Sequence, residues 1–279
     1  MYKIVIILVA LIGAGLFGYP TAADHLAQRN GSYAIEDYAE AVSGYSKEEL
    51  DAAWAEAVEY NENLSGYPAH DPFLDGSGMV MPNNYFSVLS IDDTMGYITI
   101  PRIGVELPIR HGTASATLAK GAGHLEGSSM PVGGPSTHCA ITGHTGLSSA
   151  RLFTDLVELE EGDMFYLHVL GRTLAYRVDQ ISVVEPEDTS LLKRVQDEDY
   201  CTLVTCTPYG VNSHRLLVRG ARVPYTEGQE TAAAGATAGG GLTAEQKLQL
   251  TIGGGTAVLM FCGILLAAAI RRRLLRSYT

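Results

Sequence analysis

The chain has 279 residues, of which 46% are hydrophobic and 18% are charged, a balance typical of a globular protein rather than a disordered one. Its formal net charge of -12 argues against nucleic-acid binding, which requires a basic face, so we expect no nucleic-acid partner. The four cysteines show neither CxxC nor paired spacing, which argues against a zinc cluster or a disulfide framework. One pair, Cys139 with Cys201, could meet across neighbouring strands.

The first segment, residues 1–21, is almost wholly apolar from Ile4 to Phe17. It is long enough to span a bilayer only when it is taken whole. The small residues of 21–23 offer a site for signal-peptide cleavage. The segment is therefore either an uncleaved membrane anchor or a removed signal peptide, and both send the following residues across a membrane.

Residues 31–64 form a predicted helical segment in two pieces. Ser46 and Glu49 have the spacing of a capping box, in which each residue satisfies a backbone donor of the other. An apolar stripe on one helical face follows, made of Leu50, Trp54, Ala57 and Val58. We expect this stripe to pack on the main domain and to carry no chemistry.

Residues 65–84 are predicted to form a loop, because glycine and proline punctuate them throughout. Long loops in compact proteins are often lids or binding loops. Asp71, Pro72 and Phe73 in series could place a carboxylate and an aromatic ring into a cleft.

Residues 95–222 alternate between short strands and turns. The predicted strands are 95–100, 104–110, 138–143, 164–170, 173–184, 200–205 and 216–218, with short helices at 114–120 and 149–156 and within 186–194. Many short strands with few helices indicate an all-β barrel or sandwich.

The C-terminal part is predicted to anchor the chain. Residues 223–249 are an Ala/Gly-rich linker, and residues 250–270 carry no charge and have about the length of a transmembrane helix. Residues 271–279 form a basic tail, which places the C-terminus in the cytoplasm and the preceding domain outside the cell membrane. No Leu-Pro-x-Thr-Gly sequence precedes the helix, so we interpret it as a permanent anchor and not a sorting signal.

A strand-turn-strand pattern centred on residues 208–213 brings a thiol and a cation together. Cys206 ends the first strand and Arg215 begins the second, so both should lie at one edge of the sheet. A cation beside a thiol favours the nucleophilic thiolate, and arginine can stabilise an oxyanion. The plainer interpretation is a small buried cysteine and a surface arginine, the commoner fate of both residue types.

A base for this thiol is best supplied by His144, which lies just past a strand end in a Gly-His-Thr-Gly turn. We expect His111, His124, His138 and His214 to be structural or merely exposed. No histidine pair has the helical i, i+4 spacing of a zinc site, so no metal is predicted.

Three ordered motifs carry a family resemblance. TLVTC at 202–206 resembles the TLxTC signature of sortases, the cysteine transpeptidases of Gram-positive bacteria. TGHTG at 142–146 and NSHR at 212–215 are similar to the family's histidine and arginine segments, in the family's order. The resemblance covers about residues 96–222. The Asp-Pro-Phe loop together with a C-terminal membrane helix resembles the class C, pilus-assembling sortases, in which the loop is a lid.

The resemblance implies an eight-stranded β-barrel and a thioester mechanism. Cys206 would attack the Thr–Gly bond of an LPxTG-like sorting motif on a pilin, and a lysine amine of the next pilin would resolve the thioester. His144 would act as general acid and then as base, while Arg215 would hold the substrate and the oxyanion. Asp71 would pair with Arg215, and Phe73 would cover Cys206. This chemistry requires no metal or cofactor.

Two other interpretations stay open at this point. A housekeeping sortase would attach surface proteins to peptidoglycan in the cell wall, although the lid and the C-terminal anchor argue against it. A membrane-tethered barrel without turnover would only bind surface proteins, although the presence of Cys206, His144 and Arg215 argues against that role.

Overall fold

The computed structural model describes residues 2–64, 71–73, 84–147 and 150–230. The predicted segments 250–270 and 271–279, most of the linker 223–249, and residues 65–70 and 74–83 of the predicted lid lie outside the described residues. Two N-terminal helices and a closed eight-stranded barrel make up the described fold. Among the described residues, no helix combines the length and the apolar character needed to cross a membrane.

The N-terminal helices are α1 (Tyr2–Gly44) and α2 (Lys47–Asn63). The predicted break falls between them, but α1 is one continuous helix that also includes residues 22–30, where good helix formers dominate. The capping box is confirmed, since the Ser46 hydroxyl accepts from the Glu49 backbone N–H and the Ser46 N–H donates to the Glu49 carboxylate.

Both helices pack on the barrel through buried polar contacts as well as apolar ones. The Tyr38 hydroxyl on α1 donates to the Met95 carbonyl at 3.1 Å and accepts from the Leu170 N–H at 2.9 Å. The Asn61 side chain on α2 accepts from the Met130 N–H at 2.6 Å and donates to its carbonyl at 3.3 Å. The predicted stripe packs on the main core, with Ala57 fully buried and its three partners partly buried.

The barrel consists of β1 (Gly96–Ile100), β2 (Val105–His111), β3 (Ala122–His124), β4 (Thr137–Thr142), β5 (Met164–Val169), β6 (Arg172–Val184), β7 (Asp199–Thr207) and β8 (His214–Val223). The strands close in the order β1-β2-β3-β4-β7-β8-β6-β5. Two neighbouring pairs, β2 with β3 and β4 with β7, are parallel, and the others are antiparallel. The all-β prediction is confirmed, and of the two predicted architectures the structure is a barrel and not a sandwich.

The interior is filled by large apolar and aromatic side chains. The rings of Phe165 and Tyr176 are both fully buried and stack at 5.5 Å between centroids. Gly220 on β8 lets them approach the backbone, because a Cβ there would lie 2.5 Å from the Phe165 ring. A tightly filled barrel of this kind holds its strand ends in fixed positions.

The structure contains one strand that is absent from the predicted set, β3, whose backbone groups pair with β2 and β4. The helix expected at 149–156 is instead a bridge between Leu147 and Ala150 followed by a 3₁₀ helix, Thr154–Glu158. Burial of Phe153 and Leu156 against the barrel sets this path, overriding local helix propensity. The helical turn predicted at 114–120 is present as α3 (Ser115–Leu118).

Candidate active site

Cys206 and Arg215 lie directly opposite each other at one edge of the barrel. The antiparallel register of β7 and β8 pairs them, next to the pair Thr207 and His214 at the turn. The turn is closed by backbone bonds from Val211 and from Asn212 to the Pro208 carbonyl at 3.0 and 2.9 Å. The predicted meeting of thiol and guanidinium at one sheet edge is therefore confirmed.

His144 reaches the same edge because β4 runs parallel to β7. Thr142 pairs with Val204, and the bonding continues past the strand end, where the Gly143 N–H donates to the Val204 carbonyl at 3.0 Å. The Thr205 hydroxyl donates to the Gly143 carbonyl at 2.7 Å. His144 and Cys206 thus follow this paired stretch at equivalent positions, two residues beyond Thr142 and Val204 respectively.

Gly143 and Phe153 fix the backbone of the histidine segment. A Cβ on Gly143 would lie 2.6 Å from the Phe153 ring, so only glycine lets this buried ring pack against the strand end. The Phe153 N–H donates to the His144 carbonyl at 3.0 Å. The backbone of His144 is therefore fixed on its N-terminal side by the packing of Gly143 and on its C-terminal side by this hydrogen bond.

Asp71 of the predicted lid forms a buried ion pair with Arg215. The Nε of Arg215 donates to Asp71 Oδ1 at 2.8 Å, and its Nη2 donates to Asp71 Oδ2. Only 3% of Asp71 and 7% of Arg215 are exposed. Bidentate bonds between a guanidinium and a carboxylate are among the strongest in proteins, so this pair holds the lid segment against the strand edge.

Phe73 lies over both other candidate residues. Its ring centroid is 5.6 Å from that of His144 and 5.0 Å from the guanidinium carbon of Arg215. The ring packs on a small apolar cluster that includes Val204 and Leu217. Pro72 forms the turn between the two lid contacts, and the Phe73 N–H donates to Asp71 Oδ1 at 3.2 Å. Cys206, 9% exposed, lies in the site that these contacts close.

The closed lid changes the ionisation of the thiol. Burial raises the pKa of Cys206, and the Asp71 carboxylate raises it further, which together outweigh the lowering effect of Arg215. Burial lowers the pKa of His144. Arg215 favours the thiolate, as expected, but in this closed arrangement burial outweighs its effect, so the pKa of Cys206 lies above the ordinary value.

The four histidines that were expected to be structural or merely exposed agree with that expectation. His111 Nε2 donates to the Val88 carbonyl at 2.8 Å, and His124 is fully buried in the barrel. His138 donates from Nδ1 to the Lys193 carbonyl at 2.9 Å, and burial lowers its pKa to about 4. His214 is half-exposed and contacts Glu185. In the part of the chain that the structure describes, no cluster of three His, Cys, Asp or Glu side chains is suited to a metal ion.

The sequence did not predict the hydrogen bonds that hold Arg215 in place, or those that fix the residues where the lid begins. Arg215 Nη1 donates to the carbonyls of Asn212 and His214, both at 3.0 Å, and Asn212 has a left-handed φ of 58° that shapes this turn. Arg194 donates to the carbonyls of Asn61 and Leu64 at the end of α2, where the lid begins. Asn-Ser in a turn is a detectable signal for the first set of hydrogen bonds, but no local pattern marks Arg194.

Comparison with known proteins agrees with this geometry. A family model described as the sortase domain matches residues 98–223. The crystal structure of sortase C from Streptococcus pneumoniae is 47% identical and has a TM-score of 0.66, and the match covers 70% of this chain and 98% of that one. Sortase C-1 from Actinomyces oris is 52% identical with a TM-score of 0.61, and that match covers 64% of this chain and 99% of the other.

Among curated proteins, sortase A of Bacillus anthracis is 26% identical over 224 residues, which cover 79% of this chain and 93% of that protein. The chain belongs to the sortase family and is a cysteine transpeptidase. Its barrel and the order of its histidine, cysteine and arginine segments agree with the resemblance carried by the three motifs.

Proposed function

We propose that this sortase polymerises pilins, with Cys206 as nucleophile, His144 as general acid and base, and Arg215 as the oxyanion-binding residue. The observation that carries the proposal is the buried ion pair between Asp71 and Arg215, which places a lid on the strand edge where all three residues lie. The similar proteins support it, since one is described as a pilus-related sortase C of Group B Streptococcus, 43% identical to this chain.

In the first step, the Cys206 sulfur attacks the carbonyl carbon of the Thr–Gly bond in an LPxTG-like motif. The negative charge that develops on the carbonyl oxygen is stabilised by N–H donors of Arg215. His144 takes the proton of the Cys206 thiol and passes it to the leaving glycine amine, and the peptide bond breaks to leave a thioester on Cys206.

In the second step, a lysine amine of the next pilin attacks the thioester carbonyl. His144 takes the proton from the attacking amine, and the Cys206 sulfur leaves and regains a proton. The product is an isopeptide bond between two pilin subunits, and the enzyme returns to its starting state.

The lid must leave before this chemistry begins. Of the five N–H donors of Arg215, Nε and one on Nη2 bind Asp71 and both on Nη1 bind backbone carbonyls, so among the described contacts a single Nη2 N–H is left for a substrate oxyanion. Departure of Asp71 supplies two donors at once and removes the carboxylate that raises the pKa of Cys206. Lid opening therefore couples substrate access to activation of the thiol.

We also propose that residues 250–270 anchor the enzyme in the cell membrane, with the barrel outside and residues 271–279 in the cytoplasm. Alkaline extraction of membranes tests this directly. The full chain should stay with the membrane fraction, and a chain restricted to residues 1–249 should be extracted more readily. Extraction of the full chain would contradict the anchor.

Incubation of the enzyme with a purified pilin that carries an LPxTG-like motif tests the function. A ladder of covalent pilin oligomers, absent with Cys206→Ala, is the expected result. If only single attachments form, and only when a peptidoglycan amine is supplied, the enzyme is a housekeeping sortase. If Cys206→Ala preserves the cellular phenotype, the protein acts as a binding module.

A further inference from the structure

Cys139 and Cys201 face each other inside the barrel. The parallel register of β4 and β7 pairs them directly. Both belong to the main core, 2% and 0% exposed, and both are thiols in the structure. Neighbouring strands lie about 4.8 Å apart, which falls within the Cα separation of roughly 4.4–6.8 Å that a disulfide requires.

The pair occupies a position that matters for the active site. Cys139 lies five residues before His144 on β4 and its extension, and Cys201 lies five residues before Cys206 on β7. A bond between the two would therefore join the strands that carry the proposed base and nucleophile. It would fix the register of those strands independently of the backbone hydrogen bonds between them.

A buried imidazole beside Cys139 can hold the proton that the thiol loses. His124 contacts the Cys139 side chain, and its Nε2 donates to the Ser129 carbonyl at 2.9 Å. The Tyr85 hydroxyl donates to the His124 carbonyl at 3.1 Å and lies 3.0 Å from Nδ1. This oxygen can accept a hydrogen bond from Nδ1, so both ring nitrogens have acceptors and the ring can carry both protons.

The electrostatics of the pair agree with this arrangement. Burial raises the pKa of Cys139, but hydrogen bonds from Cys201 and His124 outweigh it and lower the pKa below that of an ordinary thiol. The pKa of Cys201 is raised, by burial first and by Cys139 next. In the folded core, Cys139 is thus the more acidic of the two thiols.

We propose that Cys139 and Cys201 form an intramolecular disulfide that cross-links β4 to β7 in the mature protein. Cys139 attacks a sulfur of a disulfide-bearing oxidant, a mixed disulfide forms, and one oxidant sulfur leaves as a thiol after taking a proton. Cys201 then attacks the Cys139 sulfur, and the second oxidant sulfur leaves in the same way. Two protein thiols are oxidised and one oxidant disulfide is reduced to two thiols.

The exchange takes place while the barrel closes, because the finished core excludes an oxidant from both sulfurs. The proposed location outside the cell membrane is a compartment in which disulfides form and persist. The proposal about the cross-link itself does not depend on the pilin substrate.

Counting alkylated cysteines in the full chain tests the proposal. The protein is refolded in a glutathione buffer with the oxidised form in excess, then denatured without reductant and treated with N-ethylmaleimide. Of the four cysteines, we expect only Cys206 and Cys262 to be alkylated, and all four after reduction. A protease digest should contain a peptide pair linked through Cys139 and Cys201.

Single variants provide matched controls. Cys139→Ala and Cys201→Ala should each show three alkylated cysteines both with and without prior reduction. Four alkylated cysteines in the oxidised wild type, or a linked peptide pair that contains Cys206 or Cys262 instead, would overturn the proposal. Since no sorting peptide enters this assay, its outcome is separate from that of the proposed function.

Thermal unfolding tests the structural role of the cross-link. Reduction should lower the Tm of the oxidised wild type by about 5–10 °C, as expected for a cross-link that closes a long loop. The Tm of the double variant Cys139→Ala, Cys201→Ala should not respond to reductant. A Tm of the wild type that is equally insensitive would show that the two strands are not linked in the folded state.

Discussion

At the scale of single residues, the closed site is defined by the hydrogen bonds that Arg215 donates. Its Nε and Nη2 hold the lid carboxylate, and its Nη1 donates to two carbonyls of the adjoining turn. The turn carbonyls lie within three residues of Arg215, whereas Asp71 lies 144 residues away in sequence. Asp71 is therefore the partner that can leave without disturbing the turn, which makes the ion pair the natural point of control.

Replacement of Asp71 by alanine should activate the thiol. Without the carboxylate the pKa of Cys206 falls, because one of the groups that raise it is gone and the buried segment above it is loosened. A lower pKa gives more thiolate and an opened lid exposes the sulfur, so we expect the alkylation rate at neutral pH to rise about tenfold. The pH dependence of that rate, followed by mass spectrometry, measures both quantities.

Two further variants serve as comparisons for Asp71→Ala. Arg215→Ala removes the group that lowers the pKa of Cys206, so the inflection in the alkylation rate should move to higher pH than in Asp71→Ala. Asp179→Ala breaks a similar bidentate pair with Arg219 outside the lid and should leave the rate unchanged. A rate for Asp71→Ala equal to that of the wild type would contradict gating by this carboxylate.

The Phe73 ring should control the ionisation of His144. Burial lowers the pKa of His144, and the Phe73 ring contributes to that burial at 5.6 Å between centroids. Phe73→Ala exposes the imidazole to water, so its pKa should rise toward the ordinary value of about 6.5. Titration of the histidine ring protons by NMR measures the shift.

Phe86→Ala is the control for this titration, because the exposed Phe86 ring contacts His111 and not His144. It should leave the titration of His144 unchanged. An equal pKa for His144 in the wild type and in Phe73→Ala would mean that the ring does not shield the imidazole.

At the scale of secondary-structure elements, the lid is held at its start by the barrel. Arg194, in the loop between β6 and β7, donates to the Asn61 carbonyl at 3.2 Å and to the Leu64 carbonyl at 2.6 Å. These carbonyls belong to the last turn of α2, which lacks partners within the helix. One side chain thus caps α2 and fixes the point from which the lid leaves.

Arg194→Ala should increase the exposure of Cys206, although Arg194 is not part of the active site. Loss of both bonds frees the end of α2, so we expect faster alkylation of Cys206 than in the wild type and slower than in Asp71→Ala. Arg172→Ala is the matched control, because Arg172 binds Asp51 and stacks on Trp54 at the exposed side of α2. Equal alkylation rates in Arg194→Ala and Arg172→Ala would contradict a specific role for the Arg194 contacts at the start of the lid.

Local sequence signals predicted those elements whose cause is local. The capping box at Ser46, the turn before Arg215 and the strand around Cys206 all follow from short-range chemistry. The parallel pairing of β4 with β7 brings His144 beside Cys206 and joins strands that are about sixty residues apart. No local sequence pattern in either strand indicates this pairing. The helix expected at 149–156 fails for the same reason, because tertiary burial of Phe153 decides the path there.

At the scale of the whole molecule, the residues of the candidate site all lie in the lid and the barrel. The apolar segments predicted to meet the membrane, 1–21 and 250–270, contribute none of them. A chain restricted to residues 22–230 should therefore retain the chemistry in solution. In cells, a chain restricted to residues 1–249 keeps the segment that directs export and should form less pilin polymer, because tethering at the membrane raises the effective concentration of enzyme for a secreted pilin. Loss of thioester formation in the chain restricted to residues 22–230 would contradict this division of roles.

Intact mass spectrometry of the enzyme mixed with an LPxTG-type peptide tests the central claim most directly. The account predicts a thioester adduct on Cys206, more abundant in Asp71→Ala and Phe73→Ala than in the wild type, and absent in Cys206→Ala. The adduct should be discharged by an added amine. No adduct in any lid variant across several sorting peptides, with the protein folded, would contradict acyl transfer through Cys206.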